Sequence, residues 1–249
     1  MRYSTVWDTE VYPIRCCIVV RVTSGCRRTG SDALPKGPTK RRPQTTARLL
    51  EAAQETFAER GFYGTSIEMI SERAGLTRGA FYSNFRNKEE LFFALFDLHA
   101  QSVVDRLTQA VAELEDSDDP VRAVLARTGT VDAAERRWYL LSTEFTLHAI
   151  RHPETARVLA ERDRGLREEI AGILARLFAG IGRSPTVDLD SLARLTTAVH
   201  EGSLAQSLVE PDQLAPEELA VTFLPLLIDA VSEPAPPGAD APHEQPHSE

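Results

Sequence analysis

From Thr45 to Phe96 the chain reads TTARLLEAAQETFAERGFYGTSIEMISERAGLTRGAFYSNFRNKEELFFALF, three short helical patterns joined by tight turns and running into a fourth. The middle of this stretch decides the fold. Between Ser66 and Ala74 the helical period puts Ile67, Ile70 and Ala74 on one face and turns Glu68, Glu72 and Arg73 away from it. Gly75 then predicts a helix stop and a sharp turn at positive φ, where a residue without a Cβ meets no penalty, with Leu76 plugging the corner. Thr77 is a good N-cap for the next helix, since its side-chain oxygen can accept a backbone N–H. That leaves Arg78, Gly79 and Ala80 as an exposed first turn with no bulky side chain. Phe81 and Phe85, four apart, face inward, so Tyr82 and Asn84 face solvent or phosphate. Asn87 caps a long helix whose first turn holds Lys88, where free N–H groups, the helix dipole and an ammonium together favour a phosphate. Two helices across a tight turn, the second presenting a slim N-terminus, form the helix-turn-helix pattern that reads base edges in a major groove.

The order FAERGF, T-S-I, I-x-x-x-A-G-L-T, G-A-F-Y-x-N-F and N-K-E-x-L resembles the TetR family of bacterial transcriptional repressors, over about one fifth of the chain. The resemblance implies an all-α protein. An N-terminal three-helix DNA-binding domain would be joined by a long helix to an all-helical domain for ligand binding and dimerisation. Carried over residue by residue, it implies phosphate contacts from Thr65, Ser66, Thr77, Tyr82, Asn84 and Lys88, with Arg78, Gly79 and Ala80 nearest the bases. The bland alternatives are a half-buried packing tyrosine at position 82 and a merely solvated arginine at 78. Phe57, Phe62, Ile67, Ile70, Leu76 and Phe81 read as core, as apolar residues at helical spacing usually are.

A net charge of -9 argues on its face against a polyanionic partner, so the distribution matters more than the sum. Residues 1–38 hold 6 basic and 3 acidic side chains, 39–90 hold 9 and 7, and 91–249 hold 13 and 27. A mildly basic reader on an acidic body orients itself on DNA, and its affinity falls with salt. Lys40, Arg41 and Arg42 are either a phosphate-tracking arm or a solvated linker. No run of 18 apolar residues occurs, which excludes a spanning helix. The three cysteines, Cys16, Cys17 and Cys26, all precede the reader, leaving the folded part without a disulfide framework. That suits a reducing cytoplasm. A metal site from the three would lack a fourth ligand at zinc spacing.

The chain divides into an extension without periodicity (1–38), the reader (39–90), a helical sensing and dimerisation domain (91–232) and a proline-rich acidic tail (233–249). Extension and tail are expected to be disordered, and the distance of the motif from Met1 suggests that translation starts further in. After the long helix from Asn87, the patterns predict a short helix after Pro120, another from Trp138 to Arg151, and a long one opened by Pro153 at its first position. Two broadly apolar helices follow, near 189–209 and 216–231, the latter interrupted by Pro225. The resemblance implies that these two pair with their copies in a homodimer, and helix-turn-helix readers generally use two half-sites.

The resemblance also implies a pocket for an unidentified small-molecule effector among the middle helices, with no cofactor. Trp138, Phe145, His148, Phe178 and His200 are its candidates, with plain core packing as the alternative. Glu144, His148 and His152, at i, i+4 spacing, could converge on a metal or form an ordinary capping face. No nucleophile elbow, HExxH, phosphate loop or dinucleotide glycine signature appears, which argues against an enzyme. The resulting expectation is a regulator bound to a palindromic operator as a homodimer and released by a ligand. Its rival is a DNA-bound protein of the same fold that recruits a protein partner through a filled interior.

Overall fold

The computed structural model describes residues 41–114, 119–128 and 131–236. Expectations about residues 1–38, Lys40 and positions 237–249 lie outside these. In chain order the elements are α1 (Arg41–Gly64), α2 (Ile67–Arg73), α3 (Arg78–Tyr82), α4 (Lys88–Ala112), α5 (Pro120–Thr128), α6 (Ala133–Arg151), α7 (Pro153–Gly180), β1 (Arg183–Pro185), α8 (Leu189–Val209), α9 (Glu218–Ala230) and β2 (Ser232–Pro234).

Leu49, Ala52, Ala53, Thr56 and Phe57 form the buried stripe of α1, at the i, i+3, i+4 spacing of one helix face. The helix breaks at Gly61, whose φ of 70° and ψ of 176° suit glycine alone, and the break turns Phe62 into the core. Gly75 does adopt positive φ, at 61°. Thr77 and Asn87 cap α3 and α4 as their side-chain chemistry requires, accepting N–H bonds from Ala80 and Glu90. Helix α6 starts five residues before the expected Trp138, because Asp132 accepts the N–H groups of Ala134 and Glu135, each at 2.8 Å.

The first core runs through the reader without stopping at residue 90. Phe57, Phe62, Ile70, Phe81, Leu91 and Phe92 pack in one cluster with Leu141, Phe145 and Ala149 of α6. Helix α6 therefore lies against α1 as part of the reader's own core. A second core joins Ala110, Val124, Leu174, Leu177, Phe178, Leu192 and Ile228, from the far end of α4 to α9.

One feature departs from an all-helical plan. Residues 232–234, assigned partly to a disordered tail, form β2 and pair antiparallel with β1, Ser184 opposite Glu233. The ribbon is held by Arg183, which donates through Nε to Ser232 Oγ at 2.7 Å and through Nη2 to Ser232 O at 2.8 Å. Three-residue strands that each end in proline carry no alternation to read. Helix α9 continues through Pro225, and among the described residues no helix is long and apolar enough to cross a membrane.

Candidate nucleic-acid interface and cavity

The tip of α3 is exposed. Arg78 projects from it, paired with Glu68 at 3.0 Å and with its guanidinium 6.0 Å from the Tyr82 ring centroid. Tyr82 is 49% exposed. A Cβ placed on Gly79 would meet only Thr77 Oγ1, at 3.7 Å, so nothing inside the protein requires a bare position there. The bareness faces outward, where it lets another surface approach the backbone.

Other nominated side chains are committed inward. Thr65 is 3% exposed, and its hydroxyl donates to Gly61 O at 2.8 Å and Thr56 O at 3.2 Å. Ser66 Oγ caps α2 by accepting from Met69 N. Asn84 ties α3 to α1: its Oδ1 accepts from Thr46 Oγ1 at 2.9 Å and its Nδ2 donates to Ala80 O at 2.8 Å. Lys88 turns back under the end of α1, its ammonium donating to Phe62 O and, at 2.8 Å, to Thr65 O, 4.3 Å from the Phe62 ring centroid. Burial lowers its pKa, as removal of an ammonium from water does. The expected phosphate roles of the Thr65 hydroxyl and the Lys88 ammonium thus meet a competing structural use. The carbonyls left open by the break at Gly61 need donors, and Lys88 and Thr65 supply them.

Behind the reader, helices α4 to α9 enclose a cavity of about 700 Å³. Its walls are mainly apolar, including Phe96, Val103, Leu107, Leu166, Ile170 and Leu224. Trp138 lies in the wall, stacked on His99 with centroids 4.3 Å apart and planes 18° off parallel. Burial, with the nearby Arg106 and His200, pushes His99 down to about 3, so its imidazole is neutral. Glu135 stands 3.6 Å from His99 Nε2 and 3.6 Å from Arg106 Nη2. Its carboxyl is held above the usual range by burial, against the opposing pull of Arg106. His200 is raised by its hydrogen bond to Glu217, despite burial. Asp163 and Glu201, also in the wall, are raised by burial as well.

Phe92 is the fully buried ring of the reader's core that also borders the cavity. It stacks on Phe145 with centroids 3.6 Å apart and planes 11° off parallel. Helix α6 divides the same way, with Glu135, Trp138 and Ser142 toward the cavity and Leu141, Phe145 and Ala149 toward α1 and α4.

Residues 49–95 match the sequence model of the bacterial regulatory proteins of the tetR family, and residues 117–224 match that of the BetI-type transcriptional repressor C-terminal domain. The chain belongs to the TetR family. It is 46% identical over 79 residues to the HTH-type transcriptional regulator TtgR of Pseudomonas putida, a match covering 31% of this chain and 36% of that protein. The chain thus spans little more than a third of that relative's length. UidR of Escherichia coli is 26% identical over 70% of this chain and 85% of its own. The solved structure of SmeT, the repressor of the Stenotrophomonas maltophilia multidrug efflux pump SmeDEF, is 25% identical with a TM-score of 0.52, covering 76% of this chain and 90% of that one.

Within this TetR-family chain, two of the five nominated pocket residues, Trp138 and His200, line the cavity. The other three are packing residues. Phe145, at 0% exposure, is buried in the reader's core, and Phe178, at 1%, in the second core. His148 packs on Phe62 and reaches Glu89 at 3.4 Å. All three lie on inward faces, but helical period does not say which neighbour that face meets. Of Glu144, His148 and His152, only the two histidine rings meet, with centroids 4.2 Å apart. Glu144 accepts Phe62 N–H at 2.7 Å, His152 Nδ1 contacts His148 O at 2.7 Å, and no group of three metal-binding side chains occurs among the described residues. Sequence reasoning missed His99, Glu135 and Glu217. For His99 a signal existed, since it follows Phe92 and Phe96 on the inner stripe of α4. Glu217 had none, because it precedes α9 in a loop.

Proposed function

We propose that this chain is a ligand-responsive repressor that binds a palindromic operator as a homodimer and leaves it when the cavity fills. The observation that carries the ligand response is Phe92, one side chain shared by the cavity wall and the reader's core. A guest that displaces it also disturbs the packing behind α3, so binding at one place biases the state of the other. The cavity size falls in the range of drug-sized sites, and its mainly apolar walls with a few polar groups suit such a guest. The rival reading, a partner-recruiting protein with a filled interior, fits a 700 Å³ cavity poorly. Repression is favoured by SmeT, a repressor whose fold is alike, and by the match to the BetI-type repressor C-terminal domain. Dimerisation is favoured by apolar side chains on the last two helices, Leu195 of α8 and Phe223 and Leu226 of α9, the last two 54% and 64% exposed. A site of action on DNA favours a cytoplasmic location.

The test begins with the full chain and random duplex DNA. The retained sequences should converge on inverted repeats, and the complex should contain an even number of chains. Retention without sequence preference, or one chain per site, refutes the operator reading. A panel of charged and uncharged aromatic compounds is then tested for release of that DNA. If none shifts the affinity, the ligand response falls.

A further inference from the structure

Two buried polar atoms of residues that line the cavity, Glu217 Oε1 and Arg167 Nε, lack a hydrogen bond. Glu217 sits directly before α9 with φ 63° and ψ 0°, a left-handed backbone that side chains other than glycine rarely adopt. This backbone turns its carboxylate into the cavity wall, with the side chain only 5% exposed. Nδ1 of His200 lies 3.0 Å from both carboxylate oxygens, but the geometry of a hydrogen bond is met at Oε2. Oε1 has no hydrogen-bond donor among the described residues. A buried acceptor in that condition is costly inside a sealed core. Here it borders a space that a guest can enter, so a guest can supply the donor.

The surrounding charges say what kind of guest. Glu135 faces Arg106, Glu217 faces His200, and Asp163 lies in the fields of Arg167 and Arg194. Arg167 Nε also lacks a hydrogen bond, yet it stands 3.5 Å from Asp190 Oδ1. Each wall cation already faces a carboxylate, Arg194 standing 3.9 Å from Asp190 Oδ2, and an anion beside Oε1 would be repelled. The indole of Trp138, with the uncharged His99 ring stacked on it, adds a flat aromatic plate. Plate and carboxylate line the same cavity, and His200 is close enough for its charge to act on the His99 ring.

We propose that the cavity selects an uncharged, flat apolar molecule bearing a hydroxyl group, which donates its hydrogen bond to Glu217 Oε1. The inference rests on reading the cavity as a ligand site and adds the chemistry by which the ligand is chosen.

Three naphthalenes of similar shape separate the possibilities by calorimetric titration of the full chain at neutral pH. 2-Naphthol offers a donor, 2-methoxynaphthalene only an acceptor, and 2-naphthoate an anion. 2-Naphthol should bind about tenfold more tightly than either of the others, the effect of satisfying one buried acceptor. Glu217→Ala should bring 2-naphthol within about twofold of the ether while leaving the ether's own affinity in place. Should that variant fail to fold by circular dichroism, Glu217→Gln keeps the shape, loses the anionic acceptor, and should lose at least half of the preference on a logarithmic scale. Equal binding of 2-naphthol and the ether, tightest binding of 2-naphthoate, a preference that survives both substitutions, or no binding by any of the three overturns the proposal. None of these outcomes decides whether a ligand releases DNA, which the compound panel under the previous heading answers separately.

Discussion

Gly61→Ala tests whether the reader and the rest of the protein are joined at one polar seam. At φ 70° and ψ 176° an alanine costs roughly 1–3 kcal/mol in backbone strain alone. Its Cβ would also stand 2.5 to 2.9 Å from the Glu144 carboxylate, closer than a methyl group and oxygen can approach. Glu144 must then withdraw and release the 2.7 Å bond from Phe62 N–H, a charge-assisted bond worth about 1.5–3 kcal/mol. The two effects together come to about 4 kcal/mol, or roughly 8–16 °C in Tm for a chain of this size. Denaturant unfolding at fixed protein concentration measures the first number, and a thermal scan the second. The decisive arm is a double-mutant cycle. Glu144→Ala alone should cost about 1–3 kcal/mol by stranding Phe62 N–H. The double variant should fall short of the summed costs by about 2 kcal/mol, because the bond is lost only once. Strictly additive costs, or a Gly61→Ala penalty under about 1 kcal/mol, would show that α6 does not hold the end of α1 in this way.

Gly79→Ala should leave the fold unchanged or stabilise it by up to about 1 kcal/mol, since alanine suits a helix and has room, yet weaken operator binding about tenfold or more. Unaltered affinity in a binding titration would show that the bare position does not meet DNA. Arg78→Ala should cost roughly 1–3 kcal/mol of binding and relax preference at one operator position, read by titrating single-base operator variants. Lys88→Ala should lower unfolding stability by about 1–3 kcal/mol, through the orphaned carbonyls of Phe62 and Thr65, and leave the salt dependence of DNA binding unchanged. A slope reduced by about 1 would instead restore its phosphate role. His99 has a folded pKa of about 3, below its ordinary 6.5, so the unfolded chain alone is protonated between these values. It therefore contributes to a loss of stability as pH falls from 6.5 toward 3, and His99→Gln should flatten that decline in pH-dependent unfolding. An unchanged slope would show that the ring titrates normally.

The sequence was most legible where chemistry is local. Thr77, Asn87 and Gly75 act within a turn of themselves, and each caps or ends its helix as its residue type demands. Helix α8 matches the expected 189–209 because Asp188 marks its start. Legibility failed where a side chain had a choice between distant partners. Lys88 was read against the dipole of its own helix, whereas the carbonyls that hold it belong to residues more than twenty positions earlier. Phe145 and Trp138 lie seven apart on α6, and both read as inward. The helix has two inward sides, one toward packed rings and one toward open space, and a 3.6-residue period does not separate them. Glu217 was invisible because its conformation belongs to a loop whose geometry comes from what it joins.

If the cavity takes a ligand as proposed, the double-sided character of α6 sets the terms on which its choice can be changed. Carving a new guest-shaped hollow from Trp138, Ser142 or Phe92 also loosens the seat of the reading head, so a variant that no longer responds could be deaf or simply unseated. The opposite wall, around Leu166 and Ile170 of α7, touches the guest space without touching the reader's core. Libraries confined to that wall would vary what is recognised while leaving the machinery that reports it intact.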